Sequence, residues 1–540
     1  MADTGVLASA AKSASYNMVL QLIFRVLTFV LNAFVLRYIS KDLLGVVNVR
    51  LTLLYTTVVF IAREAFRRAC LSKNTEGKST QLINLLWLTT PIGIIFTLVF
   101  ASLWIYVLEQ PDPSVVPNYS LGVIFFAVSA ILELLSEPLW VISQTFLFVR
   151  LKVIVEGVAI ATRCILTVVL LILFPQWGIL IFSISQIVYT AVLTGLYYAY
   201  FIWCITTKTQ EEHKLPFKTI RDLFPKWLPN DVLIDWNMAS LTWSFSKQSF
   251  LKQILTEGER YVMTMFSILS FADQGIYDVI NNLGSLAARF IFLPIEDSGY
   301  LFFTQLLQRE ININDQKPDS LKLATNVLES LLKVVTLIGL TILVYGHSYS
   351  YLLLDIYGGS LLSSGTGPML LRYYCGYVLM LAINGISECF VFATMSKVQV
   401  DKYNHKMLLF SLVFLTSSWY LTSLLGSVGF ILANCCNMGA RICHSVFYIW
   451  RFYKDSSFRP LHGLLPSTTV MVAYIIAFIS TVISEKFLCC QHGVLSKLLH
   501  ICIGATSLLV ILALIYATEK KLIAFIKEQY HNMYSKKKKE

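Results

Sequence analysis

The sequence has few charged residues for its length, and it lacks the motifs of several common enzyme classes. Only 14% of its 540 residues are Asp, Glu, Lys or Arg, whereas 56% are hydrophobic, and the mean hydropathy is +0.66. Because soluble domains carry about 25% charged residues, this composition excludes a soluble protein. No GxxxxGK[ST], GxSxG or HExxH pattern occurs, so the signals of a P-loop NTPase, an α/β-hydrolase and a zinc protease are missing.

Metal-ligand spacing and a cleavable signal peptide are also missing. The eleven cysteines lie mostly inside apolar stretches, and His405, His444 and His500 stand apart from one another. We therefore predict no metal site and no cofactor, and we interpret the cysteines as small hydrophobic residues. The first fifteen residues contain Lys12 as their only basic residue. This start is unlike a secretory signal peptide, and we expect none.

The chain contains instead many apolar segments long enough to cross a bilayer. A membrane-spanning helix needs about 20 predominantly apolar residues. Fourteen segments meet this requirement, near 18–39, 43–66, 82–108, 121–147, 153–174, 178–205, 248–271, 276–307, 323–346, 369–395, 407–425, 428–450, 467–485 and 495–517. An even number of spans places both termini on the same side of the membrane.

Basic residues are distributed unevenly between the two sides. The segments on the side of the termini hold 31 of the 43 Lys and Arg residues, and the opposite side holds six. Since cytoplasmic loops carry the excess of Lys and Arg, both termini are predicted to be cytoplasmic. The net charge of +11 is then a consequence of topology, and no nucleic-acid partner is predicted.

Two short signals concern the cellular compartment. Asn118 begins an Asn-Tyr-Ser sequon in a loop assigned to the opposite, lumenal side, where glycosylation takes place. Lys537 and Lys538 stand fourth and third from the end of the chain, as in a dilysine signal for retrieval to the endoplasmic reticulum. A second interpretation of this lysine run stays open, namely a polybasic segment attracted to anionic lipid.

The opening hairpin at 18–69 has a weak repeat at 246–307. Gly45 and Asn48 align with Gly275 and Asp278 in the two copies. The copies are six spans apart, so they have the same orientation in the membrane, as in transporters built from parallel repeats.

The count of apolar segments predicts an all-α polytopic membrane protein of fourteen transmembrane helices, and the repeat predicts how they are arranged. Two six-helix lobes, 1–235 and 236–455, would be related by a pseudo-twofold axis along the membrane normal. A cytoplasmic linker with short interfacial helices is predicted at 206–247. Two further helices and a basic tail occupy 456–540.

Several arginines occur within or at the ends of the apolar segments. An arginine at the bilayer centre costs about 3 kcal/mol or more, so such residues face a cavity or a partner. Arg25, Arg289 and Arg441 have no acid within one helical turn, which predicts a partner on another helix or an anionic ligand. For other charges, pairing along the same helix is an open alternative, as between Glu329 and Lys333.

Seven runs of the sequence are similar to one known family. They are VLRYISKDLLGVVNVRLTLLY, FIAREAFRRACLS, NLLWLT, KQSFLKQILTEGERYVMT, NNLGSLAARFIF, LLLDIYGG and GSVGFILANCCNMGARI. They resemble the Rft family of endoplasmic-reticulum proteins, within the multidrug/oligosaccharidyl-lipid/polysaccharide exporter superfamily. The resemblance extends over essentially the whole chain and implies a fourteen-helix, two-lobe fold. It also implies movement of a dolichyl-diphosphate oligosaccharide from the cytoplasmic to the lumenal leaflet for protein N-glycosylation, and no enzymatic activity.

This resemblance implies a binding cavity between the lobes. Arginine suits diphosphate because its planar fork binds oxyanions bidentately, while the dolichol tail would stay in membrane lipid. The predicted cavity residues are Arg25, Arg37, Arg63, Arg67, Glu259, Arg289 and Arg441, with Glu259 as counter-charge for the empty cavity.

Two alternative functions stay open at this point. The first is a glycolipid-binding or assembly factor that does not transport, acting with other glycosylation proteins of the endoplasmic reticulum. The second is an ion-coupled exporter of small molecules, which requires a carboxylate that titrates in a cavity. Glu133, Glu137 and Glu388 are the candidates for that carboxylate.

Overall fold

The computed structural model describes residues 20, 23–71, 79–146, 148–207, 217, 219–227, 233–309, 313, 316–490, 493–525 and 527. Helices make up 86% of the structure, and no strand occurs among these residues. Ten of the described helices are long and apolar enough to cross a membrane. The prediction of an all-α, multi-pass membrane protein is therefore confirmed.

The chain packs as two compact units, Met1–Gly275 and Ile276–Glu540. The helices of the first unit are α1 (Ile23–Val35), α2 (Lys41–Leu71), α3 (Thr80–Tyr106), α4 (Tyr119–Thr145), α5 (Val149–Leu173), α6 (Ile179–Thr206), α7 (Trp236–Thr256) and α8 (Gly258–Phe266). Helix α9 (Phe271–Ala287) begins in this unit and continues into the second.

The second unit contains the remaining helices. They are α10 (Leu293–Leu306), α11 (Pro318–Gly358), α12 (Gly367–Thr394), α13 (Lys397–Leu425), α14 (Ser427–Phe452), α15 (Thr468–Leu488) and α16 (Val494–Thr518). The predicted lobe boundaries at 235 and 455 stay a prediction, because the division into units does not test them.

Helix α2 is the centre of the first unit and packs against α3, α4 and α7. One face carries small and branched residues at helical spacing, namely Leu54, Val58, Ala62, Ala65 and Ala69, all buried. Such a stripe makes the helix amphipathic toward its neighbours, and the alanines allow close approach of helices. Near its start α2 is π-helical over Val46–Leu51, an irregularity that often marks functional sites.

Two features of the first unit differ from the sequence predictions. Helix α7 begins at Trp236 and not near 248, because the Asp235 side chain accepts a hydrogen bond from the backbone N–H of Asn237 and caps the helix. In the predicted linker, the described part contains a single short helix, Ile220–Leu223. Its Leu223 is buried in the apolar core of the unit, as is nearby Phe217.

One expectation about the cysteines is wrong. Cys489 and Cys490, after α15, form a disulfide, whereas the sequence interpretation made every cysteine a small hydrophobic residue. The other nine cysteines are free.

Helices α15 and α16 are fastened to the long helix α11. An apolar cluster that includes Val344, Tyr474 and Ile511 lies between them. Two ion pairs add to this contact. Lys333 Nζ, in the N-terminal half of α11, lies 2.9 Å from Glu519, and Asp355, near the C-terminal end of α11, lies 2.9 Å from Lys497 Nζ. The sequence had suggested Glu329 as the neighbour of Lys333, but the structure pairs Lys333 with Glu519.

The pair of Lys333 and Glu519 predicts a loss of stability on substitution. The side chain of Lys333 is 16% exposed and that of Glu519 is 7% exposed. Glu519→Gln would leave this ammonium without a counter-charge, at a cost of about 3 kcal/mol. We expect a lower midpoint of thermal unfolding for the detergent-solubilised protein. The matched control is Glu329→Gln, which should leave the midpoint nearly unchanged, and the reverse ranking would contradict the observed pairing.

Candidate functional site

A polar layer lies in the first unit between two apolar clusters. Along α2 the first cluster ends at Val59 and the second begins at Phe66, and along α4 the corresponding residues are Ala130 and Leu139. The layer between them contains Arg63, Arg67, Glu133 and Glu137. Glu133 stands near the middle of the 27-residue helix α4. Glu133 is therefore far from both ends of an apolar span, while Arg67 stands four residues before the end of α2.

Arg63 and Glu133 form the first contact of this layer. The guanidinium Nη1 donates to Glu133 Oε1, and it lies 3.9 Å from Glu137 Oε2. The hydroxyl of Tyr55 donates to the other oxygen of Glu133. Arg63 keeps 24% of its side chain accessible, whereas Glu133 keeps 7%. The carboxylate is thus enclosed and satisfied, while the arginine keeps an open side.

Arg67 and Glu137 form the second contact. The guanidinium binds the carboxylate bidentately, with Nε donating to Oε1 and Nη2 donating to Oε2 at 2.7 Å. The same guanidinium lies 3.4 Å from the centroid of the Trp140 ring, in a cation–π contact. The indole N–H of Trp140 donates to Glu156 Oε1 at 3.3 Å. Bidentate and stacked contacts are specific to the planar guanidinium, so lysine cannot replace Arg67 without loss.

The two contacts have the same sequence offset. Arg63 and Arg67 are four residues apart on α2, and Glu133 and Glu137 are four apart on α4, so each arginine meets the acid seventy positions later. Such a matched ladder requires two helices that run in the same direction, and α2 and α4 are separated by a single span. The equal spacing of the two arginines and the two acids is present in the sequence, where the acids were interpreted only as candidates for an ion-coupling carboxylate.

The second unit contains an arginine–carboxylate contact of the same kind. Arg441 on α14 binds Glu388 on α12, with Nε donating to Oε1 at 3.2 Å and Nη2 donating to Oε2. The Tyr403 hydroxyl donates to Oε1, and the Asn384 amide donates to Oε2 at 3.1 Å. In each unit a tyrosine hydroxyl therefore supports the carboxylate that binds the arginine.

The other predicted cavity residues occupy less enclosed positions. Arg25 on α1 and Arg37 just after α1 are exposed, and Glu259 is half-buried in the first turn of α8. Arg289 is exposed, and its Nη2 donates to Asn282 O at 2.8 Å and to Ser285 Oγ at 2.9 Å on the same helical segment. Arg63 and Arg67 lie together, as predicted. That all seven residues line one cavity stays a prediction.

The remaining predicted positions concern modification and retrieval. Asn118 is exposed at the N-terminal end of α4. Lys537 and Lys538 lie outside the described residues. A cavity of about 310 Å³ occurs elsewhere in the second unit, beside Glu296, Tyr300 and Arg309. None of the predicted cavity residues lines it.

Comparisons with known proteins identify the family of the chain. The model of the Rft protein family matches residues 9–529. The chain is 53% identical to the Man(5)GlcNAc(2)-PP-dolichol translocation protein RFT1 of Xenopus tropicalis over 537 residues, which cover 99% of this chain and 100% of that protein. It is 51% identical to the protein of the same name from Mus musculus, covering 98% of each chain.

Two solved structures have the same fold. The lipid II flippase MurJ in an inward closed conformation has a TM-score of 0.61 and 14% identity, covering 93% of this chain and 99% of that chain. A MATE-family multidrug resistance transporter in an inward-facing conformation has a TM-score of 0.53 and 10% identity. The match covers 81% of this chain and 96% of that chain. The relatives at 53% and 51% identity are named for translocation and for no enzymatic reaction, which confirms the prediction of a non-enzyme.

The polar layer predicts strong coupling between Arg67 and Glu137. The Glu137 side chain is 1% exposed, so Arg67→Ala would strand a buried carboxylate at a cost of about 3–5 kcal/mol. Adding Glu137→Ala should restore part of that stability, giving a coupling energy of about 1–3 kcal/mol in a double-mutant cycle. Thermal unfolding in detergent would measure all four proteins of the cycle.

The control for this cycle is the neighbouring ion pair of Arg68 and Glu64. These residues are one helical turn apart, with 3.0 Å between Nε and Oε1, and Arg68 is 34% exposed. Arg68→Ala should cost only about 0.5 kcal/mol. Additive effects of the two substitutions at Arg67 and Glu137 would contradict the coupling.

Proposed function

Because the chain belongs to the Rft family, as its motifs predicted, we propose that it moves a dolichyl-diphosphate-linked oligosaccharide across a membrane. The transfer runs from the cytoplasmic to the lumenal leaflet of the endoplasmic reticulum and supplies protein N-glycosylation. Relatives at 53% and 51% identity are named for translocation of such a glycolipid. The observation that carries the proposal is the layer of arginine–carboxylate contacts within apolar helices.

The layer suits a headgroup that must enter and leave. In the described conformation Arg63 and Arg67 are neutralised by Glu133 and Glu137, which avoids the cost of unpaired charge in an apolar environment. A diphosphate offers the same acceptor geometry as a carboxylate. Substrate binding therefore exchanges one oxyanion for another at the guanidinium groups. The carboxylate released by Arg63 keeps the hydroxyl of Tyr55, so it is not stranded.

The same exchange is proposed for the second unit. Arg441 exchanges its contact with Glu388 for a contact with the diphosphate of the substrate. Glu388 then keeps its hydrogen bonds from Tyr403 and Asn384. The arginines of both lobes then share the diphosphate, together with Arg25, Arg37 and Arg289 at its edges. Polar groups of the cavity hold the glycan, and the dolichol tail stays in lipid. Glu259, in the first turn of α8, is a further counter-charge.

The architecture we propose has fourteen transmembrane helices in two six-helix lobes, with α15 and α16 as the additional pair. Four further helical segments support this count beside the ten apolar spans, namely α1, the pair α7 and α8, the pair α9 and α10, and α14. The weak repeat of 18–69 at 246–307 supports the pseudo-twofold relation of the lobes.

The orientation and location belong to the same proposal. Both termini face the cytoplasm, as supported by the excess of Lys and Arg on their side. The exposed Asn118 then lies in the lumen, where it is accessible for glycosylation, and Lys537 and Lys538 lie in the cytoplasm, where a retrieval signal is read. Other glycosylation proteins of the endoplasmic reticulum are the proposed partners, since they make and consume the glycolipid.

An ion-coupled export mechanism is less well supported by the contacts. Such a mechanism needs a carboxylate that is available to a proton or a sodium ion. Glu133, Glu137 and Glu388 each bind an arginine. The exchange mechanism uses these same contacts without requiring an ion.

The proposed function predicts the outcome of a vesicle assay. Purified protein in lipid vesicles should move labelled Man(5)GlcNAc(2)-PP-dolichol to the opposite leaflet. Arg63→Lys and Arg441→Lys keep the positive charge but remove the planar fork, and each should slow movement about tenfold, the equivalent of one charge-assisted hydrogen bond. Arg68→Lys, at the exposed pair with Glu64, is the control and should move the lipid at the wild-type rate.

Two results of the assay would reject transport. Movement no faster than in protein-free vesicles, with binding of the glycolipid retained, would identify a binding or assembly factor. Movement that depends on an imposed proton or sodium gradient and is indifferent to Arg63 and Arg441 would identify an ion-coupled exporter.

A further inference from the structure

Arg50 is a buried arginine whose guanidinium has no acceptor within the described part of the chain. It lies in the π-helical stretch of α2, and its residue exposure is 0%. None of its three side-chain nitrogens, Nε, Nη1 and Nη2, has a hydrogen-bond partner among the described residues. Arginine has five N–H donors and stays charged in proteins. This is the most polar side chain that can be left unsatisfied in a protein interior.

The surroundings of Arg50 contain one further unsatisfied polar group. The Tyr119 hydroxyl, at the start of α4, is buried and has no hydrogen-bond partner among the described residues. It lies close enough to Arg50 for an electrostatic interaction. The Phe271 ring centroid lies 5.1 Å from the guanidinium carbon. Trp104 binds only the backbone of Arg50, donating to its carbonyl at 3.0 Å. Leu51, which follows Arg50 in the chain, and Tyr119 belong to one apolar cluster, so the two unsatisfied groups lie in the same part of the interior.

The contrast with the polar layer on the same helices is direct. Arg63 and Arg67 each bind a carboxylate on α4, whereas Arg50 makes no side-chain hydrogen bond within the described part of the chain, and the acid that acts on it electrostatically, Glu109, is exposed. A buried charge without a hydrogen-bonded partner is strongly unfavourable. Such a residue gains far more from an anionic ligand than an arginine that must first release a carboxylate.

The position of Arg50 relates it to the polar layer. Arg50 precedes Arg63 by thirteen residues on α2, and Tyr119 precedes Glu133 by fourteen on α4. At 1.5 Å per residue both separations are about 20 Å along the helices. Fourteen residues are close to four full turns, so Tyr119 and Glu133 share one face of α4. Two polar sites are therefore arranged along the same pair of helices, toward opposite ends of the membrane span.

We infer that Arg50 and Tyr119 form a second oxyanion subsite, which binds phosphate oxygens at the end of the first unit next to the 107–118 loop. The inference rests on the proposed function for its ligand, the diphosphate of the translocated glycolipid. The guanidinium fork binds two phosphate oxygens, and the Tyr119 hydroxyl donates to a third. Because Arg50 is fully enclosed in the described conformation, the subsite opens when α2 and α4 part at this end. In the proposed orientation that end is lumenal, where the headgroup leaves.

Equilibrium dialysis of the purified full-length protein with labelled inorganic diphosphate tests the subsite. Wild-type protein should bind one molecule of diphosphate more per protein chain than Arg50→Gln does. Tyr119→Phe should lower the affinity for this additional diphosphate at least tenfold, because it removes one hydrogen-bond donor and keeps the aromatic ring. The matched control is Trp104→Phe on α3, which removes the hydrogen bond to the Arg50 carbonyl and leaves the guanidinium in place, so it should bind diphosphate as wild type does. Arg50→Gln removes an unpaired charge, so its unfolding midpoint should not fall.

Competition by dolichol-linked lipid identifies the source of the phosphate. If Man(5)GlcNAc(2)-PP-dolichol displaces the Arg50-dependent equivalent and dolichol alone does not, the ligand is the lipid headgroup. If neither displaces it, the subsite binds free phosphate, and the oxyanion chemistry still holds. If Arg50→Gln does not fold, Arg50→Lys replaces it in the test. This variant keeps the positive charge but lacks the planar guanidinium, so its affinity for the Arg50-dependent equivalent of diphosphate should be at least tenfold lower.

Three results would overturn the inference. The first is an equal number of diphosphate equivalents in wild type and Arg50→Gln. The second is wild-type affinity in both Tyr119→Phe and Arg50→Lys. The third is an equal drop in unfolding midpoint for Arg50→Gln and Glu109→Gln without any change in diphosphate binding, which would make Glu109 the partner of Arg50. If the protein does not move the lipid in vesicles but still binds the Arg50-dependent equivalent of diphosphate, the proposed function is rejected and the subsite is retained.

Discussion

The structure depends on one constraint, which is that an arginine in an apolar helix needs an oxyanion from another helix. Desolvating an ion costs several kcal/mol, and only a well-placed counter-charge repays this. Arg67 meets the constraint bidentately through Glu137, and Arg441 does so through Glu388. Each contact joins two separate helices and fixes their relative register. The charges that make these helices poor membrane anchors are therefore what orders them.

The same constraint explains how a translocated headgroup can be bound without being trapped. A guanidinium that already holds a carboxylate gains little when a phosphate replaces it, because both are bidentate oxyanion partners. Binding through Arg63 and Arg67 is then nearly an exchange, and the empty layer reforms when the ligand departs. Tyr55 and Tyr403 contribute by keeping the displaced carboxylates hydrogen-bonded. A site made of unpaired arginines would bind more tightly and release more slowly.

The sequence predicted the membrane fold well, because each span must supply its own apolar length. It predicted the partners of charged residues poorly. The helical spacing rule pairs Lys333 with Glu329, yet Lys333 binds Glu519, which is 186 positions away. Local patterns cannot reveal such contacts, since they arise only when distant helices pack. The ladder that joins Arg63 and Arg67 on α2 to two acids on α4 is an exception, because the two acids repeat the spacing of the arginines. The sequence identifies Arg50 only as one of the six basic residues on the side opposite the termini, since burial is invisible in the sequence.

Two sites on α2 act in opposite directions on the same conformational equilibrium, namely Arg50 at one site and Arg63 with Arg67 at the other. In the described conformation Arg63 and Arg67 are satisfied, so they stabilise it. Arg50 is desolvated without an acceptor among the described residues, so it favours any conformation in which it meets water or an anion. A ligand that binds better to the open arrangement shifts the population by its difference in affinity and by no more. Arg50 supplies such a difference at one end of the helix, while the paired arginines hold the helix in place nearer its other end.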